Sequence, residues 1–277
     1  MHKQYNVNLK VTFANLMNMR YILILFCFLI SAEFSFAQEK TAFQKGEWFK
    51  FEMSYSGFLK AGNATLEVKE TNFKGKPVFH VVGKGWTTGV ISWFFKVEDH
   101  YESYFDKYSG LPYKFVRQID EGGHTKDLET EFDQTNKKAV VNNKKHNTIE
   151  TYATEKDVQD MVSAFYYLRN NYNTETIKEG DIVSLNMFFD EENYVFKLKF
   201  LGRETIKTEF GKVKTLMFRP YVMAGRVFKE QESLTLWVSA DENKIPLKIK
   251  ADLRVGSLRA DLEAFKGLKH PFPIQFN

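Results

Sequence analysis

The sequence predicts a mainly β chain: an antiparallel rolled sheet or open β-barrel with one central α-helix packed against it. Three observations carry this. Short runs of alternating apolar and polar residues follow one another, separated by turn residues. The composition is rich in ring residues, with 27 Phe and 13 Tyr in 277 residues, which suits pleated, half-buried strands. Helical periodicity stands out in one stretch only, Asp157–Arg169.

The chain opens on a segment that does not belong to the fold. Met19-Arg20 precedes the apolar run Tyr21–Ile30, and small residues follow up to Ala37. That is the layout of a secretory signal peptide over residues 1–37, cut near Ala37-Gln38. The polar stretch Met1–Asn18 lacks the character of a leader, so the start is read as Met19. The apolar core is shorter than the roughly 20 residues that cross a bilayer, and no transmembrane helix is expected in the mature chain. Cys27 sits in mid-core behind Leu25-Phe26, without the small residues that lipidation needs. Its removal leaves a mature chain with no cysteine, hence no disulfides, no thiolate chemistry and no cysteine-based zinc site. Residues 38–277 contain no linker or repeat and read as a single β-rich domain, long enough for a large core.

The strands follow in order. Phe49, Phe51, Met53 and Tyr55 alternate with Lys50, Glu52 and Ser54, and Ala64, Leu66 and Val68 alternate with Thr65, Glu67 and Lys69. Lys74-Gly75-Lys76-Pro77 turns the chain into Val78–Val82. The segment Gly85–Lys96 is the most apolar and least alternating of the mature chain. It holds Trp86, Trp93, Phe94 and Phe95, and is either a strand buried on both faces or an exposed loop that touches lipid, a partner or a cavity mouth. Val97–Phe105, Lys114–Ile119, Lys126–Phe132 and Lys138–Val141 read as strands, with a hairpin turn at Asp120-Glu121-Gly122-Gly123.

Val158, Met161, Val162, Phe165 and Leu168 form the apolar stripe of the helix. Thr154 is its expected N-cap, with Asp157 completing a capping box. The stripe plugs the core, or else Tyr166, Tyr167 and Arg169 line a cleft. Beyond it, Ile182–Phe189, Tyr194–Phe200, Glu204–Thr208 and Val213–Phe218 read as strands. A final hairpin alternates Leu247, Ile249, Ala251, Leu253 and Val255 with charged residues, and then Leu258, Ala260, Leu262 and Ala264 likewise. One face of that sheet is wet.

Taken in order, Lys60–Leu66, Tyr101-Glu102-Ser103, Leu111-Pro112, Glu121-Gly122-Gly123, Val162–Arg169, Leu236-Trp237-Val238-Ser239 and Ile245-Pro246 resemble the exported bacterial family catalogued as domain of unknown function 3108. The resemblance runs from about Gly46 to about Gly267; the ordered set is specific, although no single piece is. It implies an envelope or secreted location, often in Bacteroidetes-like organisms, and a mostly antiparallel β roll or open barrel. It implies no activity, and no catalytic residue carries over.

The residues offer little chemistry. There is no Gly-x-Ser-x-Gly elbow, no phosphate loop and no dinucleotide glycine fingerprint. No two histidines of the mature chain have metal-ligand spacing, and neither a cofactor nor a metal is expected. A net charge of +4 without a basic tract argues against nucleic acid. The best polar cluster is Glu98, His100 and Glu102, which share one face of a strand and could form an acid/base group; a solvated face with cross-strand ion pairs explains it as well. Asp190-Glu191-Glu192 reads as a charged turn rather than a calcium loop, and Arg117, Arg203 and Arg226 are scattered. The candidate ligand or partner surface is therefore Trp86, Trp93, Phe94, Phe95, Glu98, His100, Glu102, Tyr166 and Arg169. The expected function is that of an exported, non-enzymatic protein binding a lipid or glycan component of the cell envelope. The alternatives are an envelope polysaccharide hydrolase or lyase, and a structural subunit of an envelope complex.

Overall fold

The structure is a computed structural model that describes residues 41–221, 234–253 and 256–274. The expected leader with Cys27, as well as Arg226 and Val255, lies outside the described residues. Among the described residues, fourteen strands form one open antiparallel sheet that does not close into a barrel. They are β1 (Trp48–Tyr55), β2 (Leu59–Phe73), β3 (Lys76–Thr87), β4 (Val97–Asp106), β5 (Pro112–Glu121), β6 (His124–Asp133), β7 (Lys138–Asn143), β8 (Thr148–Ala153), β9 (Ile182–Phe189), β10 (Glu192–Thr208), β11 (Gly211–Tyr221), β12 (Leu234–Ser239), β13 (Pro246–Asp252) and β14 (Ser257–Lys266). Two up-and-down runs, β1 to β8 and β9 to β14, are joined where β1 pairs with β14. That leaves β8 and β9 as the two edges.

The alternation read in the sequence sets the two faces. Phe49 and Phe51 are buried, whereas Lys50 and Glu52 point outward and pair with Glu263 and Lys60. On the inner face Val68, Phe79, Val81, Phe105, Phe115 and Phe132 pack into one core with residues of the central helix. Fully burying side chains of this size is worth about 1.5–3 kcal/mol each, so this face dominates the folding energy.

That helix, α2 (Met161–Asn171), follows a one-turn helix α1 (Ile91–Phe94) earlier in the chain. It packs against both β4 and β9, which are far apart in the strand order, so the sheet curls around it. Its start differs from the expected Asp157 and its cap from the expected Thr154. Asp157 takes a left-handed φ of 52°, which no helix continues. Gln159 forms an isolated parallel bridge with Met187, so the link from β8 runs extended along the open edge of β9. The cap is Asp160, whose Oδ1 accepts from the N–H groups of Val162 (2.8 Å) and Ser163 (2.7 Å), while the Ser163 hydroxyl accepts from the Asp160 N–H (3.0 Å). This is a complete capping box six residues further on than the expected one. Of the expected stripe, Val158 and Val162 are buried and Phe165 and Leu168 pack half-buried against the core, but Met161 is exposed; Ser163, Ala164, Tyr166 and Arg169 are buried as well.

Candidate functional site

The Trp86–Lys96 segment divides in two. Trp86 lies in β3, one residue before its end, and pairs with Glu98 across the ladder. The remainder is an exposed tip. Gly89 turns the chain with φ 59°, and the Ser92 hydroxyl donates to the Gly89 carbonyl at 2.7 Å. Ile91–Phe94 then form α1. The stem is fixed by Thr88 N–H to Ala61 O (3.0 Å) and Val97 N–H to Thr87 Oγ1 (2.9 Å). Phe95 leans on the β5–β6 turn so closely that a Cβ on Gly122 would lie 2.5 Å from its ring; with φ +60° there, only glycine fits. Trp93 and Phe94 are each 83% exposed, with Val90 also exposed. Phe58, 81% exposed in the neighbouring β1–β2 turn, adds a further ring beside the start of β2, which α1 approaches. An isolated exposed ring is ordinary, but several on adjoining turns form a surface that water disfavours.

The polar cluster is tighter than the spacing alone indicated. His100 Nε2 lies 2.7 Å from Glu102 Oε1, and His80 Nε2 lies 2.8 Å from Glu102 Oε2, which also accepts from the Tyr104 hydroxyl at 2.7 Å. His80 stacks on Tyr104, with ring centroids 4.0 Å apart. Burial works against the Glu102 charge, but hydrogen bonds from His100, Tyr104 and His80 outweigh it and hold the carboxyl down at about 2. Such a group is a fixed anion that orients two imidazoles; it takes up no proton near neutrality. Glu98 stands apart and pairs with Lys96 at 2.9 Å. His100 also lines a shallow outer groove of about 520 Å³, together with Lys84, Trp86, Glu98, Gln118 and Asp120. His80 was missed in the sequence because cross-strand register brings it in. Tyr104 alone was within reach, two residues from Glu102 on the same face.

Tyr166 and Arg169 are not on a surface, and the expectation that they line one is corrected. Tyr166 packs edge-on against Phe43 at 4.7 Å. Arg169 binds Glu47 through both carboxylate oxygens, at 2.6 and 2.7 Å, and donates to the carbonyls of Asn243 and Ala42. A guanidinium fork matches a carboxylate in this way. The pair bolts the helix to the segment before β1 and to the β12–β13 turn. Arg203 is exposed and donates to the Thr174 carbonyl. The Asp190 carboxylate is engaged by Arg117 and Lys126.

The family model described as Protein of unknown function (DUF3108) matches residues 50–263. The chain belongs to that family. The DUF3108 match falls within the Gly46–Gly267 stretch that carries the resemblance, and takes in the tip, the groove and α2. No curated protein matches the chain. Among solved structures, the chain is similar to a beta-barrel-like protein of domain of unknown function DUF1849 from Brucella abortus. It is 9% identical, with 82% of this chain and 100% of that chain covered and a TM-score of 0.52. At that identity the likeness speaks for the DUF3108 fold alone. A DUF1089 family protein from Pseudomonas aeruginosa is 7% identical over 76% of this chain and 92% of its own, with a TM-score of 0.31. That score is too low to bear on the argument.

Proposed function

We propose that this is an exported cell-envelope protein that catalyses no reaction and binds an amphipathic envelope component, a lipid surface, through its tip. The observation that carries the proposal is the exposure of Trp93 and Phe94 on a one-turn helix beside Phe58. Rings of this kind enter the boundary between headgroups and acyl chains, and burying each is worth about 1.5–3 kcal/mol. The leader-like sequence over residues 1–37 supports export. The test is co-sedimentation of the mature chain with phosphatidylethanolamine–phosphatidylglycerol vesicles. Trp93→Ser with Phe94→Ser should abolish pelleting without lowering the melting temperature. Undiminished pelleting of the double variant sinks the proposal, while a tip that crosslinks in cells to one protein favours the structural-subunit reading instead.

A second reading rests on the His100–Glu102 contact at the groove. A carboxylate that orients a histidine is an arrangement used in general-base catalysis, and a polysaccharide hydrolase or lyase could use it. It ranks second because Glu102 is already shared among three donors. His100→Ala that retains every phenotype of the wild type, where deletion loses it, would remove this reading.

A further inference from the structure

The inner face carries a second buried cation. Arg117, on β5, is 9% exposed, and its guanidinium lies 4.5 Å from the centroid of the Phe189 ring. Its Nη1 donates to Asp190 Oδ1, and Lys126 Nζ donates to the same oxygen. The buried Nε of Arg117 has no hydrogen-bond partner among the described residues. A planar guanidinium binds an anion best through two parallel N–H groups, and Asp190 uses only one of them.

Asp190 reaches this position from the β9–β10 turn. Asp190 and Glu191 are both left-handed, with φ 51° and 67°, a turn that Asn-Gly would form without strain. Burial opposes the Asp190 charge, but the hydrogen bond from Lys126 and the charge of Arg117 hold its carboxyl below the usual range. Under the turn lies a cavity of about 20 Å³ with apolar walls, among them Phe115, Leu128, Val141 and Phe188. Beside it is a pocket of about 210 Å³ lined by His124, Lys126, Lys145 and His146. Asp190 and Glu191 line both, as does Leu128 of β6, so the turn forms part of the wall between them.

We propose that Arg117 and Lys126 form the headgroup site for an anionic amphiphile, a carboxylate or phosphate head on an acyl chain, and that Asp190 is the built-in anion it displaces. The head takes the two cations, including the Nε–H that Asp190 leaves unused. The chain follows the ring-lined wall exposed when the turn lifts and the two cavities join. The site uses none of the tip residues and stands whether or not the tip binds lipid.

The test is isothermal titration calorimetry of the mature chain with palmitate, with its neutral glyceride monopalmitin, and with inorganic phosphate. Asp190→Asn removes the internal competitor and should bind palmitate about tenfold tighter than the wild type, because the competent state no longer has to be opened against an ion pair. Arg117→Met should not bind palmitate. Since Asp190→Asn is expected to gain affinity, misfolding cannot mimic the result. The Trp93→Ser/Phe94→Ser variant should bind palmitate like the wild type, which separates this site from the tip. Equal or weaker binding by Asp190→Asn overturns the proposal, as does binding of monopalmitin as tightly as palmitate, or loss of palmitate binding in the tip variant. Inorganic phosphate bound as tightly as palmitate would also overturn it, by showing a free-anion site with no use for a chain.

Discussion

Replacing Glu47 with Gln tests what holds the helix in place. Glu47 is 0% and Arg169 3% exposed, so neither charge has access to water. Removing one partner of a buried pair leaves the other uncompensated, at a cost of about 3–5 kcal/mol. Here the low end applies. The amide oxygen of the substituted side chain still accepts one N–H, and Arg169 keeps the Asn243 carbonyl at 2.8 Å and the Ala42 carbonyl at 3.3 Å. The expected loss is therefore about 3 kcal/mol, a large fraction of the roughly 5–15 kcal/mol by which domains are stable. Urea unfolding followed by far-ultraviolet circular dichroism measures it, provided the slope with denaturant is unchanged. A Glu47→Leu/Arg169→Met double variant, which leaves no buried charge, should be more stable than Arg169→Met alone. A loss below about 1 kcal/mol for Glu47→Gln, the size expected of an exposed pair, would refute the reasoning.

Two further perturbations probe the same core. Burial pushes the Asp160 carboxyl up to about 6, against the hydrogen bonds from Ser103, Ser163 and Val162 that favour its charge. The folded state then holds a proton that the unfolded chain releases, so this group's contribution to stability falls as pH rises from about 4 to about 6. Asp160→Asn keeps the cap acceptor, and its urea midpoint should decline less across that window than the wild type's; an identical decline would exclude Asp160 as the cause. The Tyr166 hydroxyl is buried with no hydrogen-bond partner among the described residues, which costs about 1–3 kcal/mol. Tyr166→Phe should therefore raise the melting temperature, and a lowered one would mean that the hydroxyl is satisfied.

The strand pattern was legible wherever one face is wet, because period-2 alternation reports the two faces directly, as in Phe49–Tyr55 and Ala64–Val68. It failed where the pattern is interrupted. Thr148–Ala153 went unread as β8 because it is an edge strand with Thr148, Ile149, Glu150 and Thr151 all exposed. Tyr194–Phe200 and Glu204–Thr208 are one strand, β10, bent at an irregularity between Phe200 and Gly202; the glycine there reads as a break in sequence but is a bulge in the sheet. The helix start was misplaced because Thr154 and Asp160 are both acceptable caps locally. The choice was made by the pairing of Gln159 with β9, a contact with no local signature. Long-range contacts hid most of the site. Glu102 and His100 were visible as near neighbours on one strand, while His80, Arg117 and Asp190 come from strands whose register no local pattern encodes.

The antiparallel order also separates two kinds of residue. The β1–β2, β3–β4, β5–β6 and β9–β10 turns all leave the same end of the sheet. They carry Phe58, the Trp93–Phe94 tip, the Gly122 turn that braces it, and the Asp190–Glu191 turn. At the opposite end, Glu47 before β1 and Asn243 between β12 and β13 close on Arg169, next to the packed rings of Phe210, Phe265 and Phe272. Exposed rings and a left-handed pair of non-glycine residues are both costs to folding. Here Phe58, the tip rings and the left-handed pair share the end that the Glu47–Arg169 bolt does not hold, where opening a turn leaves that ion pair intact. Under the proposed function the rings are buried in lipid at this end, and under the separate Arg117–Lys126 proposal the strain is relieved there when the Asp190 turn is released, so each cost is offset by its own ligand.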